Sequence, residues 1–134
     1  MGDSTLELMV AINAKLKSTA AVTALVSTRI YNTRVPEAVT FPFISLGFMS
    51  GEPFEAQLID GWRWLVTINI WSRAYGPGEA EAIATAVYEA MHDVSLTLAT
   101  EVFGYGQMTD RDTQPQGDGI TTLIRQRWEF ITTD

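Results

Sequence analysis

Asp110, Asp112 and Asp118 crowd one polar stretch, "GYGQMTDRDTQPQGDG", and several carboxylates from a single loop are what a hard cation such as calcium takes as ligands. The spacing does not hold up. With Asp110 as the first ligand, the glycine needed at the sixth position is Pro115 and the glutamate needed at the twelfth is Thr121. A solvated loop is the better reading. Glu52 and Glu55 form a second acidic pair, but acid–base work needs a pocket that shifts their pKa values, and nothing in the surrounding residues announces one. His92 is the only histidine of the chain. Without a second histidine or any cysteine it makes a poor metal site, whereas in the last turn of a helix its cation would complement the dipole. The absence of cysteine also removes thiolate nucleophiles, disulfides and sulfur-ligated metals. No serine has the G-x-S-x-G surroundings of a nucleophile elbow, and no G-x-x-x-x-G-K-[ST] phosphate cradle occurs. No catalytic residue, cofactor or metal is therefore expected, and the chain reads as something other than an enzyme.

The tryptophans are the other residues that could do specific work. Four of them, with Arg63 and Arg73 close by in sequence, could stack unpaired bases. Trp64 and Trp128 fall on the inward phase of their strands, where large aromatics serve packing. Trp62 shares that phase at the strand's mouth. Trp71 is on the opposite phase, and an outward tryptophan points to a protein interface more than to a base platform.

The elements that position these residues follow from periodicity. Ser4 and Glu7 make a capping-box signature, and Leu8, Met9, Ile12 and Leu16 recur on one face, so a helix is expected over about 4–17. Ser18 or Thr19 can cap a shorter helix with Val22, Leu25 and Val26 on one side, ending by Thr28. "RIYNTRV" reads as a short strand stopped by Pro36, and "FISLGFM" as the next, with Ile44, Leu46 and Phe48 alternating against Phe43, Ser45 and Gly47. "SGEPFEAQLIDG" reads as a loop or the splayed tip of a hairpin. In the following strand Trp64, Val66, Ile68 and Ile70 share one side, and Arg63, Thr67, Asn69 and Arg73 the other. "YGPGEAE" turns into a helix with Glu79 and Glu81 in its first turn and an apolar stripe of Ala80, Ile83, Ala84, Val87 and Met91. A strand near 95–103, a polar loop over 104–119 and a closing strand follow, with Ile124, Trp128 and Phe130 alternating against Arg125, Arg127 and Glu129. Hairpin-length links with one helical crossover predict an α+β fold: a mainly antiparallel sheet of four to five strands with two to three helices packed on one face.

Composition narrows the function classes. The 134 residues suit one domain spanning 1–134, and 46% hydrophobic with 19% charged residues is too apolar for disorder. "MGDSTLELMV" has no basic leader, Leu6 stands where a myristoylation signal needs Ser or Thr, and no apolar run reaches about 18 residues, so neither a leader nor a membrane partner is expected. Residues 1–74 hold six Lys/Arg and six Asp/Glu, while 75–134 hold three and ten, so the second half carries the whole net charge of −7. No basic cluster is available to displace counterions from nucleic acid.

Three segments in order resemble one known family. "STAAVTALVSTRIYNTRVPEAVTFPFISLG", "VTINIWSRAYGPGEAEAIATAVYEAMHD" with "LTLA" after it, and "DGITTLIRQRWEFIT" are similar, in order and separation, to the tail terminator or tail-completion proteins of long-tailed bacteriophages and gene transfer agents. The likeness runs from about residue 6 to 132. It implies a structural virion protein with no catalytic residues, made in the bacterial host cytoplasm and located at the head–tail interface. Six copies would form a ring, a homohexamer, that caps the tail tube protein and meets the head–tail connector or stopper protein, while DNA passes through the lumen without specific binding. On that reading Trp71, Arg63, Arg73, Phe54, Arg125 and Arg127 are candidates for subunit or tube contacts, and Asp110, Asp112 and Asp118 for acids lining the lumen. The polar segments at 50–61 and 104–119 would contact tube or connector. A small ligand-binding domain and a single-stranded nucleic-acid binder are the alternatives.

Overall fold

A computed structural model of the protein describes residues 5–32, 35–56, 59–74, 76–92, 95–96 and 104–133. Helix α1 (Thr5–Ser18) repeats an apolar residue every four positions, which brings Leu8, Ile12 and Leu16 onto one fully buried stripe. The Ser4–Glu7 capping pair lies outside the described residues. The chain then bends by 84° into α2 (Ala20–Val26). Thr19 occupies the N-cap position, but its hydroxyl donates to the Lys15 carbonyl at 2.7 Å and does not cap α2. Val22 and Val26 are buried. Leu25, expected beside them, is 36% exposed, because it stands about 100° round the helix from Val26. No single helix among the described residues is long and apolar enough to cross a membrane.

The remaining elements are β1 (Ile30–Tyr31), β2 (Phe43–Ala56), β3 (Ile59–Ser72), α3 (Gly78–Met91), β4 (Ser95–Leu96), β5 (Gly104–Pro115) and β6 (Thr122–Thr133). They build one sheet in the order β1-β2-β3-β6-β5-β4, antiparallel except where β1 meets β2. The α+β class and the mainly antiparallel sheet are as expected from the sequence. The sheet has six strands where four or five were expected, since β1 and β4 are two-residue pieces at opposite corners.

Alternation fixes which face is core. Rows of residues run straight across the four long strands: Gly51, Trp64, Phe130 and Gly106; Met49, Val66, Trp128 and Met108; Leu46, Ile68, Gln126 and Arg111; Ile44, Ile70, Ile124 and Thr113. The buried members of these rows join the apolar stripes of all three helices in one cluster. The α3 stripe is the expected one, with Ala80, Ile83, Ala84, Val87 and Met91 buried. Trp62 stacks on Trp64, ring centroids 5.4 Å apart, and extends the cluster to its rim.

Three sequence expectations need correcting. The stretch 104–119 is not a long loop: β5 runs to Pro115 and only a short turn remains before β6. Its side chains gave no apolar alternation because β5 closes the edge of the sheet, where opposite charges on β6 supply the cross-strand pairing. The stretch 50–61 is likewise no splayed tip, because β2 and β3 stay in register out to Ala56 and Ile59. Of the two other expected strands, only Ile30–Tyr31 and Ser95–Leu96 are strand among the described residues, and positions 33–34 and 97–103 lie outside them.

Candidate functional site

Because the core cluster draws all three helices to one side of the sheet, the opposite side of β2, β3, β6 and β5 carries the other phase of each strand. Six of the residues singled out from the sequence, Arg63, Trp71, Arg125, Arg127, Asp110 and Asp112, fall on this face, which is bare of helices among the described residues. Cross-strand geometry decides who meets whom. Arg127 Nη1 lies 3.0 Å from Asp110 Oδ1, and Arg125 grips Asp112 with Nε at 3.2 Å and Nη2 at 2.9 Å. Arg63 spans three strands, with Nη1 3.0 Å from Glu52 on β2 and Nε 3.4 Å from Glu129 on β6. The arginines and acids that were two separate lists in the sequence thus interleave on one face, in a lattice of two ion-paired groups. Each pair is partly solvated and contributes little to stability individually, so the lattice chiefly sets register and charge. The two-pronged bond from Arg125 holds the Asp112 carboxyl below its ordinary range and raises the guanidinium correspondingly.

One end of the face is aromatic. Trp71 stacks on Phe43, centroids 6.0 Å apart and planes within 15°, and its Nε1 donates to Ser45 Oγ at 3.3 Å. Phe43 meets Tyr31 and Phe41 edge-on, at 5.9 and 4.9 Å. This cover explains why Phe43, on the phase away from the helices, is nonetheless only 4% exposed. Arg73 lays its guanidinium 4.2 Å over the Phe41 ring while Nε donates to Thr121 Oγ1. At the opposite end of β2, Phe54 pairs with Gly61 across the hairpin, and its side chain lies outside the described residues.

Asp118 stands apart from the lattice, in the β5–β6 turn. Its carboxylate accepts from Ile120 N at 2.9 Å, Thr121 N at 2.8 Å and Thr121 Oγ1 at 2.6 Å, which closes the turn around Gly119 at φ +75°. Those bonds, the Thr121 hydroxyl foremost, lower its pKa from 3.8 to about 2. A depressed carboxylate stabilises the fold above its unfolded value and loses that contribution as pH falls toward the folded one. Asp118→Asn is therefore expected to be less stable than the parent at neutral pH, with the difference shrinking from about pH 4 and vanishing near pH 2. Paired denaturation curves across that range check it; a constant difference down to pH 2 would refute the turn-locking role.

The apolar cleft of about 340 Å³ beside the turn, lined by Gly76, Pro77, Thr113, Pro115, Ile120 and Thr121 among others, has no titratable side chain among the described residues of its wall. His92 caps the end of α3 and stacks on Tyr88 at 4.9 Å. Among the described residues no three His, Asp or Glu side chains converge as a metal site would require. Glu79 and Glu81 are engaged by the Ser72 hydroxyl and by Arg111. Sequence reasoning set Glu129 and Phe43 on the outward phase without choosing them as site residues, and it missed Glu52 and Phe41 as members of the bare face. The signal for the lattice was present, as two acids and two arginines each spaced two apart on either side of a Gly/Pro turn.

The comparisons agree with this picture of an assembly part. The family model of tail completion protein gp17 matches residues 10–133. In fold, the chain is similar to a chain from the virion of a native gene transfer agent particle, with a TM-score of 0.89, 19% identity and 100% of each chain covered. No curated protein matches. With the family model covering nearly its whole length, the chain belongs to the tail completion protein gp17 family and is a structural protein of a virion tail.

Proposed function

We propose that six copies of this chain close into a ring on the end of a finished tail tube, stop its growth, and present the other rim to the head–tail connector. DNA passes through the lumen. The observation that carries the proposal is the bare sheet face. Among its described residues, Arg63 pairs with Glu52 and Glu129, Arg125 with Asp112 and Arg127 with Asp110, while Arg73 at the aromatic end lies over the Phe41 ring. A channel wall must not trap phosphate, and on the strands of this wall each of the described arginines Arg63, Arg125 and Arg127 is already held by a carboxylate. What field remains is screened over about 8–10 Å at physiological salt. Asp110 and Asp112 line the lumen in this arrangement, and Asp118 sits at its rim in the turn. The aromatic end with Trp71 and Arg73, and the hairpin end with Phe54, form the two rims that meet tube and connector. The likeness to a chain of a gene transfer agent virion supports the setting.

The test is the mass of the protein in solution with and without tail tubes, with electron-microscope images of the tube ends. Rings of six on the tube ends are expected. A chain that stays monomeric and leaves tubes uncapped at every concentration would sink the proposal. Trp71→Ala is expected to remain folded while weakening assembly roughly tenfold or more, the scale of an interface tryptophan. A variant that unfolds would move Trp71 from the contact surface to the core.

A further inference from the structure

The two long outer strands are only partly covered. β1 pairs with β2 at Ile44 and Ser45, and β4 pairs with β5 at Gly104 and Tyr105, which are opposite corners of the sheet. Between those corners, among the described residues, β2 over 46–51 and β5 over 106–111 have a neighbour on one side only. Carried across the sheet row by row, the two stretches stand at the same level: Leu46, Ile68, Gln126 and Arg111 at one end, Gly51, Trp64, Phe130 and Gly106 at the other. Each contains a break in register, between Leu46 and Met49 in β2 and between Met108 and Asp110 in β5.

Resting on the ring reading above, we propose that neighbouring subunits join edge to edge, β2 of one copy alongside β5 of the next. Four facts fit a second copy as the occupant. The strands of β2, β3, β6 and β5 alternate in direction, so β2 and β5 run oppositely and meet as an antiparallel pair when copies are related by rotation about an axis along the strands. Such a contact is heterologous, β2 edge to β5 edge, the kind that generates a ring when the rotation between copies closes. Natural edges are guarded by proline and charge. Here Pro53 and Pro115 lie just outside the two stretches, and 46–51 contains no charged residue. With rows continued between copies, Gly51 faces Gly106 and Ser50 faces Gln107, so no two carboxylates oppose. The bulges, at matching levels, bend both edges together and supply curvature for closure.

Hydrogen exchange on the unaltered chain, free and assembled on tail tubes, tests this. Amides in 46–51 and 106–111 are expected to slow at least tenfold on assembly. The chain has no cysteine, so Ser50→Cys with Gln107→Cys gives a clean second readout: oxidation of assembled rings should yield a covalent ladder that neither single variant produces. Rings in which both segments exchange as in the free chain, and the double variant runs as a monomer on a denaturing gel, would overturn the edge contact while leaving the ring intact. A failure to form any ring would instead remove the ring reading, and this contact with it.

Discussion

Replacing Gln126 by Leu is expected to lower the unfolding free energy by about 2 kcal/mol, although it exchanges a polar for an apolar side chain inside a hydrophobic core. Gln126 is 1% exposed and lies on the helix side of β6, in the row with Leu46 and Ile68. Its Nε2 donates to the Ala84 carbonyl of α3 at 2.9 Å, and its Oε1 accepts from Trp128 Nε1 at 3.1 Å. The amide is thus a fully buried polar link between the crossover helix and the sheet, where the Ser72–Glu79 and Arg111–Glu81 contacts are more exposed. Leucine would bury somewhat more apolar surface, but it leaves the indole N–H of a fully buried tryptophan with no acceptor and removes the second bond to Ala84. An unsatisfied buried donor costs about 1–3 kcal/mol, more than the extra apolar area returns. Denaturant melting of Gln126→Leu measures the loss. The sharper check pairs it with Trp128→Phe, which removes the donor as well: the two changes together should cost less than the sum of each alone. Strict additivity would show that the indole bond carries none of the effect.

That residue also marks where sequence reasoning stopped. The phase of β6 was legible from Ile124, Trp128 and Phe130, and the same alternation puts Gln126 inward. What it meets there depends on which turn of α3 crosses β6, a tertiary fact that no local pattern contains. The α3 stripe and the β3 alternation were readable because each has a strong single period set by one apolar neighbour layer. β5 was not, because its partners on the bare face are arginines on another strand and its helix-side residues are Gly106, Met108, Arg111 and Thr113. A strand stabilised by charge pairs has the composition of a loop. Only the paired spacing of Asp110 and Asp112 with Arg125 and Arg127 distinguishes the two, and that requires reading both strands at once.

The candidate surface shows the same division. Opposite phase was enough to set Trp71, Arg63 and Arg73 apart from the core, since alternation is a property of one strand. Treating arginines and aspartates as separate surfaces depended on not knowing that β5 and β6 are neighbours. Once Arg125 and Asp112 share a bidentate contact, a face that looked divided between a sticky patch and a repelling one becomes a charge-paired wall. The acidity of the second half then resides elsewhere, on the helix and turns, with Glu79, Glu89 and Asp118 among the described residues that lie off the lattice.

The glycines on the outer strands carry the other large expected effect. Gly106 and Gly51 end the same row, and each lies against the ring of its inner neighbour: Phe130 over Gly106 and Trp64 over Gly51. A Cβ on Gly106 would stand 2.5 Å from Phe130 Cε1, and a Cβ on Gly51 would collide with the six-membered ring of Trp64. Neither ring can swing aside cheaply. Phe130 is fully buried with Trp128 6.4 Å away, and Trp64 is stacked on Trp62. Gly106→Val is therefore expected to destabilise the fold by about 2–3 kcal/mol, toward the upper end of overpacking costs, even though valine is the better strand former by up to about 1 kcal/mol. If propensity dominated, the variant would be more stable than the parent. The ring is the cause, so Phe130→Leu placed beside Gly106→Val should recover part of the loss, whereas Phe130→Leu alone removes packing and destabilises. Thermal or denaturant melts of the three variants decide between these outcomes. Aromatic cover of edge glycines also keeps both outer strands thin on the helix side without letting the register slip. An edge that must lie flat against another strand needs both properties, and the row from Gly51 to Gly106 supplies them at the two ends of one line.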